Sequence, residues 1–144
     1  MPSESNADDV FFSRPGLADV RWDPTVKAVR TEWLGWANPT EFKAVLEAGL
    51  RAMEQHRSPR GMVDARAQRV VQKSDQDWVN ASWFPRALAT GLTHLAIVTP
   101  ISEVTRMNIE GVLSGASATR LVVAYFATVE EATGWLSRVP LQAA

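Results

Sequence analysis

The residues best equipped for chemistry in this chain are Asp64 and Arg66, at the end of an apolar run, and Ser74, which opens the next amphipathic stretch. A carboxylate beside a guanidinium can bind a ligand, order a loop, or act as an acid or base. A serine at a helix start can cap the helix or accept a phosphate. Trp36, Asn38, Thr99 and Thr128 join them by position, because each follows an apolar run of the same kind. If the strands holding those runs lie parallel, all of these side chains gather at one edge of a sheet, where α/β proteins meet ligands and partners. Helix N-termini at Asn38, Ser74 and Thr128 would point free backbone N–H groups to that edge, which favours an anion such as a phosphate or carboxylate. Each of the three also has a plainer reading as a cap worth roughly 1 kcal/mol. Asp64 has one too, as the acceptor that orders the loop after it.

Other chemistries lack their residues. The chain has no cysteine and only two histidines, His56 and His94, which excludes disulfides and thiol nucleophiles and leaves little for a metal. No cofactor is expected. Both histidines fall at the sheet edge opposite Asp64 and Ser74, so a Ser-His-Asp triad, which needs hydrogen-bond reach among its members, is not formed. With 15 Lys and Arg against 16 Asp and Glu, a formal net charge of -1, there is no basic footprint for nucleic acid. Met1 to Asp9 is polar and acidic where a signal peptide would be basic and then apolar, and no apolar run reaches membrane-spanning length. The expectation is a soluble cytoplasmic protein with no membrane span.

The 144 residues suit one domain that buries about 70% of its unfolded surface. Residues 1–16 read as a tail, with Val10 to Phe12 able to form a short edge strand, and residues 17–140 as the domain. Leu17 to Trp22 and Val26 to Leu34 form a hairpin around Asp23-Pro24-Thr25, the second strand covered on both faces. Asn38-Pro39-Thr40-Glu41 is a capping box that starts a helix with Phe42, Val45, Leu46, Gly49, Leu50 and Met53 inward. A strand from Gly61 to Ala65 follows, and Ser74-Asp75-Gln76-Asp77 reads as a second cap before Trp78, Val79, Ala81, Ser82 and Phe84. Pro85 predicts a break near Phe84 and a short further helix to Thr90. His94 to Thr99 has the β-branched content of a central strand. Pro100 and Ser102-Glu103 open a helix to about Ser114 with Val104, Met107 and Val112 inward. Arg120 to Phe126 is the last strand, and Thr128-Val129-Glu130-Glu131 caps a closing helix that buries Ala132, Trp135 and Leu136. Trp33, Trp78 and Trp135 have core positions, which leaves Trp36 and Trp83 to line a pocket or an interface. The fold class is therefore α/β, a mixed sheet with an N-terminal antiparallel hairpin and parallel β-α units in the order β-β-α-β-α-β-α-β-α.

Several local phrases add a resemblance. They are Asp19-Val20-Arg21-Trp22, Met62-Val63-Asp64-Ala65-Arg66, Asp77-Trp78, Phe84-Pro85 with Gly91, and Phe126 followed by Glu130-Glu131-Ala132 and Trp135-Leu136. In that order they resemble the STAS family, the anti-sigma-factor antagonist fold, and most closely its SpoIIAA-like relatives, small stand-alone bacterial proteins of the same class as the larger lipid-carrying Sec14-type domains. The resemblance implies a regulatory protein with a serine phosphorylated by a partner kinase at the helix start after the third strand. Ser74 is the matching position, although a longer polar loop precedes it and no Ser-Gly follows.

The leading functional expectation is a non-enzymatic regulatory or protein-interaction module that presents the loop from Asp64 to Ser74 and the helix after it. The alternative is a binder of an anionic or amphipathic small molecule through Trp36, Asn38, Asp64, Arg66, Ser74 and Thr99. An enzyme using Asp64 as acid or base is the third reading. A homodimer through Val10 to Phe12 or through Trp83 stays open.

Overall fold

The computed structural model describes residues 9–99, 103–112, 115 and 119–141, and in it the sheet grows strand by strand in chain order. Its strands are β1 (Val10–Arg14), β2 (Ala18–Asp23), β3 (Ala28–Trp33), β4 (Arg60–Asp64), β5 (His94–Val98) and β6 (Val122–Phe126). The first three pair antiparallel, and β3 through β6 pair parallel. The expected α/β class and the parallel run are thus present, with β1 added at the edge ahead of the expected order.

With no reversal in strand order, crossovers of one hand place their helices on one face. These are α1 (Pro39–His56), α2 (Lys73–Trp78), α3 (Phe84–Ala89) and α4 (Glu103–Val112). The closing helix α5 (Val129–Leu136) covers the other face at β4, β5 and β6. Strand alternation divides the core accordingly. Val29 and Trp33 join Val45, Ala48 and Ala52 of α1 in the larger cluster, whereas Ala28, Met62, Ala96 and Val98 pack with Ala132 and Leu136 in the smaller one. Val45, Ala48 and Ala52 are fully buried, and their small side chains let α1 lie close on the sheet.

The start of α1 follows from its sequence. Asn38 Oδ1 accepts from the Glu41 N–H at 2.8 Å and Glu41 Oε1 accepts from the Asn38 N–H at 3.0 Å, the reciprocal capping box. Its end is marked by Arg57 in the left-handed region at φ 52°, where its N–H donates to the Met53 carbonyl. The short helix expected up to Thr90 is present as α3, capped there, but the chain stays helical where Pro85 predicts a break. Lacking an N–H, Pro85 sits in the first turn of α3, and the chain ahead of it widens into a π-helical stretch, Val79–Trp83, where the Phe84 N–H reaches back to Val79 O.

Four expectations change. Helix α2 starts two residues earlier than its apparent box predicts, at Lys73, with Gln72 in place of Ser74 as N-cap and no side-chain capping bond, so Ser74 is inside the helix and caps nothing. Met107 is 66% exposed, and among the described side chains of α4 it is Ile109 that is buried. Trp83 is buried at 4% exposure, with its indole N–H donating to Leu46 O, which removes it as an interface residue. On the face away from α1, β3 buries Ala28 but then carries Arg30 and Glu32 beside Asp19 and Arg21 of β2, so beyond Ala28 that strand is covered on one side only. Pro100, Ser102, Ser114 and the side chains of Val104 and Val112 lie outside the described residues.

Candidate functional site: a cleft at the carboxyl ends of β3 and β4

Asp64 is the last residue of β4, level with Glu32 of β3 and Val98 of β5. Its side chain points to the α5 face with Met62, two residues back. It is 2% exposed, and both of its oxygens are engaged by Arg66. Arg66 Nε donates to Oδ1 at 2.9 Å, Nη2 to Oδ2 at 2.7 Å, and the Arg66 backbone N–H to Oδ1 at 3.2 Å. Burial alone would raise the Asp64 pKa, but the hydrogen bonds and charge of Arg66, with the charge of Arg30, outweigh it and hold the carboxyl below its ordinary range. Arg66 is pushed up in turn, first by its hydrogen bond to Asp64. A carboxylate so held is a weak base at neutral pH, and its bonding capacity is spent on its own loop.

The other expected site residues are likewise used by the fold. Asn38 is occupied in its capping box. Thr128 Oγ1 accepts from the Glu131 N–H at 3.1 Å as the cap of α5. Thr99 ties the end of β5 to β6, its N–H and hydroxyl both donating to Phe126 O. Ser74 is exposed on α2, which packs with α1 and α4 on the face opposite the Asp64 side chain. The single rim expected from the sequence is therefore two, divided by the sheet.

On the α1 side the loop after β3 and the loop after β4 face each other across a cleft of about 10 Å³. Gly35, Trp36 and Ala37 form one wall, Gln68 through Gln72 the other, and Asp75 of α2 also lines it. Gly35 is needed there, because a Cβ would collide with the Gly16 carbonyl in the turn between β1 and β2. The opposite wall is held from behind. Asn108 of α4 accepts from the Val71 N–H at 2.8 Å and donates to Val71 O at 3.2 Å, while Gln76 Nε2 donates to the same carbonyl at 3.0 Å.

Behind the cleft, between α1 and the sheet, lies an apolar cavity of about 60 Å³. Thr31 and Trp33 of β3, Leu46 and Gly49 of α1, Trp83 and Ile109 contribute to its wall. Trp33, Phe42 and Gln68 border both spaces. Trp33 and Phe42 stack with ring centroids 5.6 Å apart and planes 14° from parallel, so a flat aromatic pair forms part of the border that the cleft and the cavity share. Trp36, 56% exposed, and Val70, 54% exposed, flank the outside.

Sequence reasoning offered Trp36 and Trp83 as pocket residues, and they line the cleft and the cavity respectively, but it did not offer Asn108, Gln68 or Asp75. Gln68 and Asp75 are unremarkable in a polar loop and a first helical turn. The role of Asn108 depends on a partner 37 residues away. The histidines are at the opposite edge as expected. His56 stacks flat on Trp22 at 4.0 Å with its Nε2 buried and unpartnered, and burial lowers its pKa against the raising charge of Asp9. Among the described residues no group of His, Asp or Glu could hold a metal ion, and no helix is long and apolar enough to cross a membrane. Neither a family model, a curated protein nor a solved structure matches the chain.

Proposed function

We propose that the protein binds a small amphipathic molecule, its polar end in the cleft between the β3 and β4 loops and its apolar end in the cavity under α1. One observation carries this reading: Trp33, Phe42 and Gln68 line both spaces, so a polar cleft at the carboxyl edge borders an apolar void in the core. The Asp64 pair then serves the site indirectly, by fixing the start of the loop whose later residues form the cleft wall. The test is a titration of the whole ¹⁵N-labelled chain with n-butanol, followed by NMR at the indole N–H signals of Trp33 and Trp83. Saturable shifts at both, lost in Gly49→Leu, support the reading. Shifts that never saturate, or that persist with the cavity filled, sink it.

A second reading keeps the regulatory role that the STAS resemblance implies. The exposed Trp36 and Val70 on facing loops are the type of apolar pair that a protein partner covers, and Ser74 is exposed where a kinase could reach it. A phosphate in the first turn of α2 would be electrostatically favourable. Intact-mass measurement on protein purified from its host tests the switch, and the absence of any species heavier by one phosphate in every growth condition would remove it.

A further inference from the structure

We infer that the head of the ligand is a water-sized hydrogen-bond donor, an ammonium or a hydroxyl, received by Asp75; the inference rests on the cleft and cavity being one ligand site. Asp75 is 4% exposed, lines the cleft, and receives no side-chain hydrogen bond from any described residue. Its carboxylate oxygens are not among the buried polar atoms left without a partner, so they meet solvent through the cleft, and a ligand donor seated there takes the place of that water. Asp64 shows what the chain does when it satisfies such a group itself: all donors come from Arg66.

Size and charge agree on the class of head group. About 10 Å³ is room for roughly one water. A protonated primary amine or a hydroxyl has that bulk, whereas a carboxylate or phosphate is larger and sets like charge against Asp75. Arg69 also borders the cleft, but its side chain is exposed and its charge is screened by solvent. The anionic ligand expected from the helix N-termini is therefore disfavoured at this cleft. Beyond the head, the cavity of about 60 Å³ is well below the roughly 150 Å³ of one that admits benzene, so the tail is a short aliphatic group.

The experiment compares n-butylamine, n-butanol and n-butyrate at one pH and ionic strength, by NMR titration of the whole labelled chain. Butylamine should bind about tenfold or more tighter than butyrate. Asp75→Asn, close in shape, should cost butylamine about tenfold in affinity and leave butanol within about twofold. Butyrate binding as tightly as butylamine, or butylamine indifferent to Asp75→Asn, overturns the assignment of the head group while the site itself survives. Failure of all three probes brings down the site and the inference together. The order of affinities in the wild-type chain decides the matter even if Asp75→Asn does not fold.

Discussion

The two sides of the sheet each hold a buried carboxylate and treat it differently. On the α5 side Arg60, 8% exposed, gives its guanidinium to the carbonyls of Val26, Ser137 and Val139, and Asp64 is closed by Arg66. On the α1 side a carboxylate of similar burial, Asp75, has no such donor among the described residues and lines the cleft that borders the apolar cavity. Charge at the carboxyl edge of a parallel sheet is thus not by itself a site. What distinguishes the second region is bonding capacity and volume that the fold has not used.

The comparison breaks first at Arg60. If that side is held by internal satisfaction, Arg60→Met should cost roughly 3 kcal/mol or more, since the carbonyls at the end of α5 and in the hairpin turn lose their donor while staying buried. Urea denaturation measures it, and a loss below about 1 kcal/mol would show that water serves those carbonyls equally well.

A smaller effect is expected at Asp64. Asp64→Asn should destabilise by about 1–2 kcal/mol at neutral pH, at the low end because Arg66 is half exposed and its charge can be rehydrated. The pH dependence has a definite sign. The folded pKa lies below the unfolded one, so the contribution is complete above the unfolded value and disappears as pH falls through the depressed folded value. Stability curves for the wild type and Asp64→Asn should therefore converge on acidification below about pH 4. Parallel curves would mean that the Arg66 pair contributes nothing.

Filling the unused volume should act in the other direction. A Cβ on Gly49 would have Thr31 Oγ1 at 3.9 Å as its only neighbour within contact range. Gly49→Ala should therefore stabilise by about 1 kcal/mol through helix propensity, a gain of roughly 3 °C in Tm, with no clash to offset it. It should also weaken butanol binding. Stabilisation with unchanged binding would separate the cavity from the ligand site.

What the sequence disclosed and what it concealed divide along the same physical line. The Asn38-x-x-Glu41 box, the turn at Asp23-Pro24-Thr25 and the apolar runs of β4 and β5 are local signals, set by neighbours within a few residues, and each predicts its element. The clamp of Asn108 on Val71 and the grip of Arg60 on Val139 join residues 37 and 79 positions apart, and no spacing announces them. Met107 misleads because α4 turns its buried side to Ile109. The cleft was half legible, in Trp36, since the loop facing it is placed by tertiary contacts.

The smallest predicted effect concerns two apparent polar caps that look alike in sequence. Asn38 and Ser74 each stand three residues ahead of an acid, Glu41 and Asp77. For Asn38 the box closes, and Asn38→Ala should cost about 1 kcal/mol. For Ser74 the start of the helix is fixed instead by Asn108 and Gln76, which pin Val71 and leave Gln72 as the last extended residue, while Asp77 turns to Lys73 at 2.6 Å. That pair is exposed and adds little. Ser74→Ala should then change stability by no more than about 0.5 kcal/mol, whereas Asn108→Ala should shift the α2 start and loosen the cleft wall. A Ser74→Ala penalty equal to that of Asn38→Ala would restore Ser74 as the cap and move the cleft wall out of the control of α4.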